Sequence, residues 1–312
     1  MTTYRNTVLI YNPRAGKFRG NRLSPLQRAV KILEQDGHRV TVAPTTGPAT
    51  AGAIAREHIA GGADLILAAG GDGTVNEVLE GMVHSRVPLG VLPAGTANVL
   101  ACEMKLEFSL ERAAAQLGQC HPHRISVGHV TCDAGQVCRH FLLMAGVGLD
   151  AHIVRQVSVA LKARTGKLAY WIAGGNLLGR RLAEFHVEID GRTSVCSFAL
   201  FSKVRNYGGD FEIAREVSLF DNEFEAVLFS GPSSIRYVKY LAGMVLRRLQ
   251  HMSGVDVLHT CRVSLNCAED QSVYVQVDGE FAGALPAELR IVPDALTLLI
   301  PPSYESRHGI QP

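Results

Sequence analysis

No uninterrupted apolar stretch in this 312-residue sequence approaches the roughly 18 to 20 residues that span a bilayer. The opening MTTYRNTVLIYNPRAGK holds only the short run VLIY before polar punctuation, so neither a signal peptide nor a transmembrane helix is expected. The seven cysteines (Cys102, Cys120, Cys132, Cys138, Cys196, Cys261, Cys267) are odd in number and contain no C-x-x-C pair. That pattern fits neither a disulfide framework nor a zinc site, and it suits a reducing cytoplasm. Twelve histidines are scattered, and the nearest pair, His121 and His123, lacks the H-x-x-x-H spacing of a helical metal clip. The formal net charge is only +2, so no nucleic-acid partner is expected. What the chain has in quantity is apolar residues, 47%, enough for two domains with separate cores.

The first third alternates short apolar runs with amphipathic stretches. TVLIY (Thr7 to Tyr11), Arg39 to Ala43, DLILAA (Asp64 to Ala69) and Pro88 to Leu92 read as strands. Between them, Leu26, Ala29, Val30, Ile32 and Leu33 share one face of a helix ending near Gly37. Ala49 to Ala60, Thr74 to Val83 and Thr96 to Met104 read as further helices. Continuous apolar strands separated by helices predict a doubly wound α/β domain with a parallel sheet covered on both faces. From about Arg124 the pattern changes to partly alternating runs split by turn signals, including Asp190-Gly191 and Asp278-Gly279. This half reads as a mainly antiparallel β domain with two helical insertions, one within Val157 to Leu182 and one from Ile235 to Met252. The expected division is 1–124 and 125–299, with the tail from about 300 packing back on the first domain.

AAGGDGT follows an apolar strand directly and precedes a helix. Gly70, Gly71 and Gly73 allow close approach to a bulky anion, and the helix N-terminus aims N–H groups and a positive dipole end at it. Asp72 is repulsive beside phosphates unless a metal ion or positioned water intervenes, so it reads as a Mg²⁺-linked or network residue. A tight strand-to-helix turn with Thr74 as N-cap is the alternative. YNPRAGK (Tyr11 to Lys17) and LGVLPAGTANVLA (Leu89 to Ala101) leave two other strands at the same carboxyl edge, where open α/β folds bind ligands. Neither a Walker A loop nor a G-x-G-x-x-G fingerprint is present.

GGDGTVNEVLEG, preceded by YNPRAGK and followed by LPAGTANVLA, resembles the diacylglycerol kinase catalytic-domain family, which includes bacterial lipid kinases and the sphingosine and ceramide kinases. The likeness continues through GVGLDAHIV, the segment around KLAYWIAG, VRNYGGDF and VDGE. NAD kinases and phosphofructokinases carry a loop similar to GGDGT, and NEVLEG favours the lipid-kinase branch. The resemblance implies an N-terminal nucleotide-binding domain and a C-terminal β-sandwich, with ATP and a lipid meeting in a cleft and Mg²⁺ accompanying ATP. It matches Asn12, Lys17, Thr46, Gly71, Asp72, Gly73, Thr74, Glu77, Gly95, Thr96 and Asn98 to nucleotide contacts. It makes Asp278 the base that deprotonates the acceptor hydroxyl, with Glu280 beside it as a metal or network partner, and it sets Asp72 and Asp221 as metal-linked. Val99 stands where many relatives have aspartate and Ser126 where some do, which argues against an accessory structural Mg²⁺ site.

Read from its residues alone, QVDGEF is also a good Asp-Gly turn, like EIDGRT at Glu188 to Thr193. Ile235, Val238, Leu241, Ala242, Val245, Leu246 and Leu249 recur at helical spacing, with Arg236, Lys239, Arg247 and Arg248 largely off that stripe. Lys162, Arg164, Lys167, Arg180 and Arg181 similarly flank Leu168, Trp171, Ile172, Leu177 and Leu178. Such helices either face a core or rest peripherally on an anionic membrane at the cytoplasmic face. The functional expectation is an ATP-dependent lipid kinase, most simply for diacylglycerol. Sphingoid base, ceramide or phosphatidylglycerol kinases, an NAD kinase and a catalytically inactive nucleotide-binding regulator are the alternatives. A homodimer is compatible with the sequence.

Overall fold

The computed structural model describes residues 4–18, 22–149, 151, 179, 181–207, 211–246 and 248–310. Most of the helical insertion expected within Val157 to Leu182, including Lys162, Arg164, Lys167, Trp171 and Arg180, lies outside the described residues, as do residues 208–210 and Arg247. The chain forms two compact units, 1–126 with 293–312, and 127–292.

The first unit holds β1 (Asn6–Tyr11), β2 (Arg39–Pro44), β3 (Leu65–Gly70) and β4 (Leu89–Pro93), ordered β2-β1-β3-β4 and all parallel. The end of the long strand Ala287–Ile300 extends this sheet, with Leu298 opposite Leu89 in parallel register. Its helices are α1 (Ser24–Gln35), α2 (Ala51–Ala60), α3 (Asp72–Met82), α4 (Val99–Met104) and α5 (Leu110–Leu117). Alternation along the strands fixes the layers. Leu9, Leu65, Leu67, Ala69 and Leu92 share a core with Leu26, Ala29 and Leu33 of α1 and Leu110, Ala113, Ala114 and Leu117 of α5. On α2 and α3, Gly52 and Gly81 touch through backbone, since a β-carbon on Gly81 would lie 2.1 Å from the Gly52 carbonyl oxygen.

The second unit is antiparallel, as its alternating runs predict. One sheet is ordered β14 (Val255–Thr260), β13 (Phe224–Phe229), β10 (Phe198–Ser202), β7 (Met144–Gly148), β16 (Tyr274–Val277) and β17 (Glu280–Ala284). A second joins β15 (Arg262–Asn266), β8 (Phe185–Ile189) and β9 (Arg192–Cys196) to the start of β18 (Ala287–Ile300), with β5 (His121–Cys132) pairing β18 and β6 (Val137–Phe141), while β11 (Asn206–Tyr207) and β12 (Phe211–Glu212) form a separate antiparallel pair. Inward residues of both sheets, among them Val147, Phe201, Leu228 and Val277 from one and Phe185, Val187, Leu265 and Leu289 from the other, make one core.

Three local expectations are corrected. The helix expected over Ile235 to Met252 ends at Val245, because the chain folds back there. Arg248 N–H donates to the Gly243 carbonyl at 2.7 Å, and Gly243 leaves room for the Met252 sulfur. Its buried face is also not the stripe counted in sequence: Ile235 (60% exposed), Val238 (52%) and Leu246 (69%) face out, while Tyr240 and Met244 are buried. Tyr237 and Tyr240 pack on Phe229, and Tyr237 also on Phe198, so aromatic rings anchor this helix. Finally, α4 starts at Val99 rather than Thr96, because Asn98 adopts a left-handed conformation (φ 47°).

Candidate active site

In the first unit the loops after β1, β3 and β4 interlock at the carboxyl ends of their strands. Asn12 N–H donates to the Ala69 carbonyl at 3.2 Å and its side-chain amide to Thr74 Oγ1 at 3.4 Å, tying the first loop to the second. The N–H groups of Ala94 and Gly95 both donate to the Gly70 carbonyl, at 2.8 and 3.2 Å, which ties the second loop to the third. Gly71 and Gly95 meet there, since a β-carbon on Gly95 would lie 2.4 Å from Gly71 Cα. The third loop closes on itself: Asn98 Oδ1 accepts from Gly95 N–H at 2.9 Å and Asn98 Nδ2 donates to the Gly95 carbonyl at 3.0 Å.

The helix after GGDGT begins at Asp72, with Gly71 as its N-cap and no side-chain cap. Thr74 is therefore not the cap. It is the third helical residue, buried, and packed where any side chain on Gly70 would collide with it. An uncapped N-terminus beside three glycine-bearing loops can receive the oxygens of a phosphate chain. Asp72 Oδ1 accepts Leu100 N–H at 3.2 Å, so this carboxylate also holds the start of α4. Mg²⁺ is usually held by one or two carboxylates together with substrate phosphates. Asp72 fits that pattern as a single carboxylate at the phosphate loop.

The other residues of the expected set lie in or beside these loops. Lys17 Nζ donates to the Pro93 carbonyl at 2.8 Å and to the Phe108 carbonyl, which pins the first loop to the end of β4. Burial holds its pKa below the ordinary lysine value, an effect partly offset by Glu111. Glu77 Oε2 accepts Ala51 N–H at 3.2 Å, so it braces the N-terminus of α2. Thr46 and Thr96 are exposed on their loops, and Gly73 lies in the first turn of α3.

In the second unit, Asp278 and Gly279 form the two-residue turn between β16 and β17, both with positive φ (48° and 80°). Asp190 and Gly191 repeat this turn between β8 and β9, at 49° and 75°. The two aspartates then part company. Asp190 is exposed, whereas Asp278 is 8% exposed and its carboxylate accepts three backbone N–H groups. Leu142 N–H reaches Oδ2 at 2.9 Å, and Leu143 and Met144 N–H reach Oδ1 at 2.9 and 3.0 Å. Asp278 N–H donates in return to the Met144 carbonyl at 2.9 Å. Three donors hold the carboxylate in one orientation. Glu280 pairs with Arg139 at 3.2 Å.

Among the described residues, Asp221 is held by protein donors. Its Oδ2 accepts Ser218 N–H at 2.6 Å and Ser218 Oγ–H at 3.0 Å, and its backbone carbonyl accepts from Lys203 Nζ at 2.5 Å. No group of three His, Cys, Asp or Glu side chains suited to a metal occurs among the described residues. Sequence reasoning missed Lys203 and the 142–144 backbone. The second has no side-chain signature, while the first was visible as a lone lysine closing the apolar strand FALFS. Burial pushes Cys120 and Cys196 up to about 12 and Cys132 up to about 11, which favours the neutral thiol at each.

Interlocked glycine-bearing loops on a doubly wound sheet, and a buried, backbone-held carboxylate on an antiparallel β unit, are features that phosphoryl transfer can use. Residues 6–130 match the diacylglycerol kinase catalytic domain, and residues 144–300 match the YegS C-terminal NAD kinase beta sandwich-like domain. The chain is 32% identical over 292 residues to the diacylglycerol kinase of Bacillus subtilis (strain 168), covering 90% of this chain and 91% of that one. It is 29% identical over 256 residues to the diacylglycerol kinase of Mycobacterium tuberculosis (strain H37Rv), covering 80% of each. The crystal structure of a diacylglycerol kinase from Bacillus anthracis str. Sterne shares the fold, with a TM-score of 0.78 and 21% identity over 97% of this chain and 99% of that one. The chain belongs to the diacylglycerol kinase catalytic-domain family, and it is a lipid kinase, a phosphotransferase with an alcohol acceptor.

Proposed function

We propose that this protein transfers the γ-phosphoryl group of ATP to the hydroxyl of diacylglycerol, with Mg²⁺ accompanying the nucleotide. The observation that carries the choice of acceptor is the 32% identity, over nine-tenths of both chains, to a diacylglycerol kinase. The site chemistry agrees with transfer to an alcohol. N–H groups at the start of α3 are suited to receive phosphate oxygens, while Asn12, Thr74 and Asn98 keep the loops in register. Asp72 would hold Mg²⁺ jointly with the nucleotide, and the ion would neutralise charge on the transferring group. Asp278 takes the hydroxyl proton, its orientation fixed by Leu142, Leu143 and Met144.

The acceptor resides in a membrane, and no described helix is long and apolar enough to cross one. The helix Ile235–Val245 supports peripheral docking, because its exposed residues are Ile235, Arg236, Val238, Lys239 and Ala242, with no acidic residue among them. A radiolabelled-ATP assay against a panel of diacylglycerol, phosphatidylglycerol, ceramide and sphingoid base tests the reading. Label on diacylglycerol supports it, and preferential label on another lipid or on NAD refutes the choice of acceptor.

A further inference from the structure

A lysine with no solvent exposure is rare unless a specific partner holds it, and Lys203 is 0% exposed. It follows directly on β10. Its backbone N–H donates to the Leu143 carbonyl at 2.8 Å, and the N–H of that same peptide group, on Met144, donates to Asp278 Oδ1 at 3.0 Å, so one peptide group links Lys203 to Asp278. Ser202 Oγ–H is bonded to the same Leu143 carbonyl at 3.5 Å and to the Val204 carbonyl at 2.6 Å, which fixes the backbone on either side of Lys203. At the other end, Nζ donates to the Asp221 carbonyl at 2.5 Å, in a loop where Ser218 holds the Asp221 carboxylate. Glu223 adds a second nearby negative charge.

We propose that Lys203 is a positioning residue whose buried ammonium serves as the fixed cation of the Asp221 loop, in place of a divalent ion, and so holds the Leu143–Met144 peptide that orients Asp278. A hard divalent cation needs about six oxygen ligands. Here one of the oxygens Asp221 would offer accepts from the ammonium and another from two donors of Ser218. The ammonium itself repels a second cation. The covalent stem of Lys203 connects the acidic loop to β10, a link that a diffusible ion would otherwise supply. This inference rests on the assignment of Asp278 as base only for its effect on turnover, and the structural half stands apart from it.

The experiment uses the full chain without nucleotide. Thermal melting in EDTA is compared with melting in Mg²⁺ or Ca²⁺, for the wild type and for Asp221→Asn, with Mn²⁺ titration calorimetry on both. The expected result is the same melting temperature in chelator and in divalent ion, and no calorimetric site that Asp221→Asn removes. Stabilisation by a divalent ion that disappears in Asp221→Asn overturns the proposal. In Lys203→Met, kcat is expected to fall on the order of 100-fold with the KM for ATP unchanged, the signature of a displaced base. Undiminished kcat in a folded Lys203→Met protein overturns the positioning role. If that variant does not fold, the melting and calorimetry comparison decides the matter. A wild type that labels no lipid at all would fail the functional reading while leaving the divalent-ion result intact.

Discussion

Gly71 and Gly95, on loops that follow different strands, approach so closely that a β-carbon on Gly95 would sit 2.4 Å from Gly71 Cα. The contact is backbone against backbone, so no side chain can yield to relieve it. Gly95→Ala should therefore spread the second and third loops apart. The expected outcome is at least a tenfold loss in ATP affinity by calorimetry, with a folding cost of about 1–3 kcal/mol from overpacking. Unchanged ATP affinity would mean that these loops do not cooperate in binding.

The paired Asp-Gly turns give an internal control. Asn tolerates the left-handed backbone at both sites. Asp190→Asn should change stability by no more than about 0.5 kcal/mol and leave turnover intact. Asp278→Asn should abolish phosphoryl transfer while retaining ATP binding. It should also cost about 1–3 kcal/mol in denaturant unfolding, because an amide nitrogen cannot accept one of the three N–H bonds. Equal behaviour of the two variants would reduce Asp278 to a turn residue.

Glu305, in the C-terminal helix Pro302–Arg307, has a side chain 1% exposed and accepts from His123 at 2.6 Å and His121 at 2.9 Å. Burial works to raise its pKa, but the hydrogen bonds from His123 and His121 outweigh it and the net direction is downward. A carboxylate depressed in the folded state contributes stability that is present above its unfolded pKa and is lost as pH falls through the folded value. Chemical denaturation from pH 7 down to about 3 should therefore show the wild type losing more stability than Glu305→Gln. Parallel profiles would contradict the assignment.

Ile235, Val238 and Leu246 are exposed beside Arg236 and Lys239. Substituting Ile235 and Val238 together by Asp should weaken flotation with anionic liposomes severalfold, leaving the melting temperature within a few degrees. Wild-type association should itself weaken with added salt. Flotation unaffected by both changes would place membrane contact elsewhere.

Much of this was legible in the sequence because it rests on local pattern. The apolar runs at Val8–Tyr11 and Leu65–Ala69 declared buried parallel strands, and the two Asp-Gly pairs declared two-residue hairpins before any contact was known. The three loops at the carboxyl ends of the strands are recognisable from glycines that follow the apolar runs. What escaped is what depends on non-local partners. Lys17 is matched to the first nucleotide loop by resemblance alone, and its contacts with the carbonyls of Pro93 and Phe108, both far along the chain, have no signal in the linear motif. The aliphatic spacing of the helix Ile235–Val245 leaves open what its stripe meets, and Tyr237 and Tyr240 find Phe198 and Phe229 only in three dimensions. The cradle of Asp278 is pure backbone at 142–144, and main-chain N–H groups leave no trace in residue identity.

The most direct test is transfer of label from γ-³²P ATP to diacylglycerol in mixed vesicles containing anionic phospholipid, with Mg²⁺ present, for the wild type and Asp278→Asn side by side. The account predicts a labelled phosphomonoester in the lipid phase for the wild type and none for the variant, with both still binding ATP. Label appearing equally with both proteins, or appearing on NAD with no requirement for lipid, would contradict it.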